Sequence, residues 1–173
     1  IAASLIGYKP SKDAFFIATS GRYEYKNKGI NLFIESLRRL KEQSTNKKEI
    51  IAFVLVPAWV NAAREDLAER MSAKKFGRTA LPDPLITHSL NNYNEDMIMN
   101  QLHGSGFKNL ASDKVKIIFV PSYLRGDDGI VNMPYYDLLI GFDATAFPSY
   151  YEPWGYTPLE SVAFGIPTIT TDL

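Results

Sequence analysis

Four short, largely apolar runs constrain what this chain can become: Ala14 to Thr19, Ile50 to Val56, Lys114 to Val120 and Ala144 to Phe147. The first is apolar on consecutive residues, as in strands buried on both faces of a parallel sheet. The second and third are stopped by Pro57 and Pro121. Between the first two runs, Leu32, Phe33, Leu37 and Leu40 fall at helical spacing, which predicts a helix from about Ile30 to Leu40. Strand, helix, strand is a βαβ unit with a right-handed crossover. Further on, a polar helix is expected over Asn61 to Met71, a broken stretch over 74–84 and a helix over Asn94 to Leu102. A short helix with Pro134 at its start is expected over Met133 to Ile140, and another after the fourth run that stops near Gly165. Ile166 to Thr170 reads as a last strand. The alternation predicts an α/β fold, a Rossmann-like doubly wound parallel sheet. Residues 1–13, ending in Lys9-Pro10-Ser11-Lys12-Asp13, read as a linker, and residues 14–173 as the domain.

Charge and composition narrow the partners. Lysine plus arginine and aspartate plus glutamate number 19 each, so nothing in the net charge recruits nucleic acid or an anionic membrane. Any phosphate must be held by local placement of charge. There is no cysteine, and His88 and His103 show no metal-ligand spacing. No run approaches the ~20 apolar residues of a membrane span. The chain is expected to be soluble and cytoplasmic. Starting without methionine and stopping at Thr-Asp-Leu, it is expected to be an excerpt of a longer protein.

The loop after the fourth run, Pro148 to Gly155, holds two prolines, three aromatic residues and Glu152. It sits at the carboxyl end of a strand, where open α/β sheets bind ligands. It leads into a helix start, with Thr157 as N-cap, Pro158 at the first helical position and Glu160 three residues after the cap. The N–H groups of that start suit a phosphate. Glu160 is either the partner of Thr157 in a capping box or a ligand-facing acid. Glu152, between aromatic residues and a proline, reads as functional. At the end of the first run, residues 21–29 offer Arg22 and Lys28 on a glycine-bounded turn. That is a phosphate grip, a guanidinium fork and an ammonium point charge, or else two solvated cations.

The string Pro148-Ser149-x-x-Glu152-Pro153-x-Gly155, with a second glutamate seven residues beyond the first, resembles the retaining nucleotide-sugar glycosyltransferases of two Rossmann-like halves, the GT-B fold. The fuller Tyr150 to Pro158 resembles the eukaryotic-type glycogen synthases, whose bacterial relatives share it, and this chain reads as one of those. Gly21 to Gly29, Pro84 to His88 and Asp113 to Phe119 look like the same family, so the resemblance covers nearly the whole chain. It implies the C-terminal, donor-binding half. Arg22 and Lys28 would hold the donor diphosphate, Glu152 would lie beside the transferred glucose and Glu160 on the ribose hydroxyls. Tyr135 would stack on the base, the alternative being a tyrosine packed on a helix end. Backbone amides around Trp154, Gly155, Tyr156 and Thr157 would face sugar and phosphate. The implied reaction is retaining glucose transfer from UDP-glucose, or ADP-glucose, to the non-reducing end of an α-1,4-glucan. No cofactor and no metal are implied. The partners would be the nucleotide sugar, the glucan, an N-terminal Rossmann domain of the same chain and, left open, a homo-oligomer. A starch- or sucrose-synthase-like transferase, or a nucleotide-sugar-binding module without catalysis, fits the same residues. The stretch after Pro57 is shorter than the long helical insertion of eukaryotic members. A Rossmann dehydrogenase does not fit, because the first strand-to-helix turn, Ser20-Gly21-Arg22, lacks G-x-G-x-x-G.

Overall fold

The computed structural model describes residues 1–43, 47–73 and 76–172. In chain order the elements are α1 (Ala2–Ile6), β1 (Phe15–Ser20), α2 (Ile30–Glu42), β2 (Ile50–Leu55), β3 (Val60–Ala63), α3 (Glu65–Ser72) and β4 (His88–Leu90). They continue with α4 (Met97–Gly104), β5 (Val115–Val120), α5 (Tyr135–Leu139), β6 (Ala144–Phe147), α6 (Tyr156–Ala163) and β7 (Thr168–Thr170). The five-stranded sheet runs β5-β2-β1-β6-β7, and every neighbouring pair is parallel. This is the Rossmann-like α/β arrangement expected. From β1 the chain winds outward to β2 and β5, then returns to the other side for β6 and β7. The strand order therefore switches between β1 and β6, which opens a crevice at their carboxyl ends.

Both faces of the sheet are covered, which is why the strands read as continuous apolar runs. Side chains alternate along a strand. Ala52 and Val54 of β2 pack with Ile30, Phe33, Ile34 and Leu37 of α2. Ile51, Phe53 and Leu55 face the other layer, with Leu5 of α1, Leu67 of α3 and Leu139 of α5. Helices α2 and α6 flank the switch from opposite faces: Ala146 belongs to the α2 layer, while Thr145 Oγ1 and Ser161 Oγ of α6 share a hydrogen bond at 2.6 Å.

Local corrections follow from contacts that are distant in sequence. Within the stretch expected to be a linker, Ala2–Ile6 form a short helix with Leu5 and Ile6 buried, too brief to show helical periodicity. Where a helix was expected from Asn61, Val60–Ala63 pair antiparallel with His88–Leu90, and α3 begins only at Glu65. The helix expected from Asn94 starts at Met97, because Asp96 caps it by accepting from the Met99 N–H at 2.9 Å. Of the broken stretch expected at 74–84, residues 74 and 75 lie outside the described residues, as does residue 173 of the expected domain.

One buried charge sits far from the crevice, in β5. Lys116 is fully buried, its ammonium 3.1 Å from Glu49 Oε1 and 5.3 Å from the centre of the Tyr8 ring. Glu49 also accepts from the Tyr8 hydroxyl and, at 2.8 Å, from the Ser11 N–H. Burial pushes the Glu49 carboxyl up, but these donors outweigh it and hold the group below its ordinary value. The cluster pins residues 8–11 to the sheet. Lys116→Met is expected to destabilise the fold by about 3 kcal/mol, since it strands a part-buried carboxylate. Adding Glu49→Leu should recover most of that loss in urea unfolding, and a double variant no better than the single would show that the pair is not the cause.

Candidate functional site

The loops after β1 and β6 are locked together over the crevice. In the first, the Lys28 N–H donates to the Glu24 carbonyl and the Gly29 N–H to the Lys26 carbonyl, both at 2.8 Å, closing a tight turn. Gly29 then caps α2 at φ 63, a left-handed conformation that suits glycine. A Cβ there would stand 1.8 Å from the Pro148 carbonyl oxygen, so only glycine lets the two loops touch. The Tyr150 N–H donates to the Asn27 carbonyl at 2.8 Å. Across this junction Lys28 Nζ and Glu152 Oε2 form an ion pair, with side chains only 12% and 19% exposed. Glu152 is thus paired and largely shielded from solvent.

Arg22 is elsewhere. Its side chain is 81% exposed and paired with Glu24 at 3.0 Å. The fold therefore unites Lys28 with Glu152 and leaves Arg22 exposed on Glu24.

The helix start differs from the expected capping box. Gly155, at φ 61, turns the chain into α6, so helix begins at Tyr156 and Thr157 lies within the first turn with no side-chain cap. The Tyr156 and Thr157 N–H groups have no carbonyl within the helix to donate to. Glu160 turns instead to α5, where the Tyr136 hydroxyl donates to its Oε1 at 2.9 Å. Tyr136 stacks on Phe164, ring centres 5.4 Å apart, which steadies that hydroxyl. The capping-box alternative for Glu160 falls. Trp154 stands 73% exposed in the loop before the helix.

Beside the junction lies a cleft of about 300 Å³, lined among others by Ser20, Leu55, Arg125, Tyr135, Thr157 and Glu160. Tyr135 packs at the start of α5 against the core, and it also lines the cleft. Its hydroxyl shares a hydrogen bond with Ser20 Oγ at 2.7 Å, and burial pushes the phenol above its ordinary pKa. The far wall, Ser122 to Arg125, was not singled out from the sequence. The sign was available: it follows a buried strand ended by Pro121, and so leaves the sheet at the same edge. Among the described residues, no group of three or more His, Cys, Asp or Glu side chains could hold a metal ion, and no helix is long and apolar enough to cross a membrane.

A cation and a carboxylate at the switch point, open helix N–H groups and an aromatic-walled cleft suit a phosphorylated nucleoside. A family model described as glycogen synthase matches residues 5–80 and 63–173. The chain belongs to the glycogen synthase family. It is 32% identical to the glycogen [starch] synthase of Neurospora crassa, over 96% of this chain and 31% of that one. It is also 32% identical to isoform 1 of Saccharomyces cerevisiae, over 92% of this chain and 30% of the relative. To the liver glycogen [starch] synthase of Rattus norvegicus it is 30% identical, over 91% and 29%. The chain thus spans under a third of these relatives. The Neurospora match runs over 219 positions, more than the 173 residues here, so it includes positions with no counterpart in this chain. The family model's two matches overlap at residues 63–80, within the stretch expected to be shorter than in eukaryotic members.

Proposed function

We propose that this chain is the donor-binding half of a glycogen synthase, acting in retaining transfer of glucose from a nucleoside-diphosphate glucose, UDP-glucose in the first place, to the non-reducing end of an α-1,4-glucan. The observation that carries the reading is the Lys28–Glu152 pair bridging the loops of the switch point, beside the cleft that Tyr135 and Glu160 wall. In such a transfer the bond from the anomeric carbon to the diphosphate breaks, and negative charge builds on the departing phosphate oxygen. A fixed ammonium there lowers the barrier more than it tightens substrate binding. Lys28 has three donors and can keep Glu152 while holding a phosphate. Arg22 joins by leaving Glu24, and the free N–H groups at the start of α6 face the same anion. Glu152 orients sugar hydroxyls or faces the positive charge of the oxocarbenium-like sugar. Glu160 binds the ribose hydroxyls and Tyr135 stacks on the base. No metal enters this scheme.

Residues 14–173, with α1 packed against them, form the Rossmann-like donor unit in this reading, completed by an N-terminal Rossmann half that brings the glucan, in a cytoplasmic enzyme. The 173-residue chain alone should bind UDP with a Kd nearer millimolar than micromolar, roughly −4 to −6 kcal/mol. It should transfer no glucose, because closure by the second half excludes water and positions the attacking hydroxyl. Titration by NMR together with a glucosyl-transfer assay tests this. No binding of UDP or ADP at millimolar concentration would sink the donor-site reading, and transfer by the chain alone would sink the two-half reading.

A further inference from the structure

The loop after β5 contributes a cation to the cleft that none of the roles above uses. Arg125 lines the wall facing Thr157 and Glu160. Its backbone is fixed beside the expected base platform: it bridges Pro134, and the Tyr135 N–H donates to the Leu124 carbonyl at 3.0 Å. Its guanidinium carbon lies 5.2 Å from the centre of the Tyr123 ring, a cation–π contact that limits where the fork can point. Among the described residues the fork donates no hydrogen bond and forms no ion pair. Most other arginines are held: Arg38 and Arg39 by Glu35, Arg64 by Asp66 and three carbonyls, and Arg70 by carbonyls of Ser4 and Thr79; Arg78 is exposed and does not line the cleft. The nearby Asp128 is already engaged, accepting from the N–H groups of Ile130, Val131 and Asn132.

A guanidinium has five donors and no acceptor. It can meet a base only where the base offers acceptors. Uracil offers an exocyclic oxygen where cytosine carries an amino group, and hypoxanthine stands in the same relation to adenine. An amino group turns its hydrogens toward the fork and is rejected. We infer that Arg125 is the specificity-determining residue of the donor site, selecting a nucleoside diphosphate whose base carries an exocyclic oxygen over one that carries an amino group. The inference rests on the donor-site reading and deepens it, since it ties the choice between uridine and adenosine donors to one side chain.

UDP and CDP test it, because they share ribose, diphosphate and ring size. They differ at the exocyclic group and at the ring nitrogen beside it, which carries hydrogen in uracil and is an acceptor in cytosine. Dissociation constants are measured by calorimetry on the full-length protein, wild type, Arg125→Ala and Arg125→Lys, for UDP, CDP and inorganic pyrophosphate. The wild type should prefer UDP by about 10-fold, which is about 1.4 kcal/mol. Arg125→Ala should bring that ratio near one by weakening UDP, with pyrophosphate unchanged and, the residue being exposed, with the melting temperature unchanged. Arg125→Lys keeps the charge but not the fork, and should lose most of the preference too. IDP against ADP should repeat the pattern. Equal weakening of UDP, CDP and pyrophosphate would make Arg125 a phosphate contact and overturn the inference, as would a ratio that Arg125→Ala leaves untouched. Both outcomes leave the donor site standing. Failure of the wild type to bind any of these nucleotides would remove the donor site and the inference with it.

Discussion

Lys28→Ala in the full-length enzyme is expected to lower turnover by about 10²–10³-fold while raising the donor's KM only a few-fold. In the proposed reading the ammonium sits where charge appears late, on the departing phosphate, so its loss would be felt in the transition state more than in the bound donor. The structure strengthens that expectation. Lys28 is held by a tight turn, by the cap at Gly29 and by Glu152, so little rearrangement is needed when charge develops. Removing it also strands Glu152, which is only 19% exposed, and part of the loss could be a disturbed loop. Lys28→Ala with Glu152→Gln separates the two: a structural loss is relieved in the double variant, and a lost leaving-group contact is not. Unchanged turnover in Lys28→Ala would take the residue out of this role.

The parts of the fold legible in the sequence were those set by burial alone. Strands β1, β2, β5 and β6 fall within a residue or two of the apolar runs, because a strand covered on both faces must be apolar throughout. Helix α2 showed its buried stripe for the same reason. What was not legible depends on partners far along the chain. The β3–β4 pairing joins residues about 27 apart through backbone bonds, with little side-chain signature. Lys28 and Glu152 are 124 residues apart, and only the strand order brings their loops to one edge. Both residues were chosen from the sequence, but their pairing was not. Glu160 illustrates a local ambiguity that the tertiary fold resolves. Thr-x-x-Glu permits a capping box, yet Gly155 starts the helix earlier and Tyr136, brought in by α5, takes the carboxylate. Arg125 lay in plain view and acquired meaning only when the cleft had walls.

Glu152→Gln should leave the fold nearly intact and cut transfer at least about 100-fold. As a surface acid, the residue would cost less than ~0.5 kcal/mol to replace. The observed pair with Lys28, neither fully exposed nor fully buried, raises the expected cost to about 1 kcal/mol. The amide still offers an oxygen to Lys28 and to Ser149, whose hydroxyl lies 3.5 Å from the carboxylate, so the loops remain joined. Charge is what the substitution removes. The amide cannot favour a positive sugar, and its second atom donates where a carboxylate accepts, so sugar hydroxyls that donate to Glu152 lose a partner. In the proposed reading UDP is held through its phosphates and its base and not through Glu152, so its Kd should change less than three-fold. Calorimetry with UDP, thermal unfolding and a transfer assay on the same preparation separate these effects. Near-normal transfer would reduce Glu152 to the partner that orients Lys28. A stability loss above about 3 kcal/mol would make it a structural acid, and parallel losses of UDP affinity and transfer would move its role from the sugar to the phosphate side.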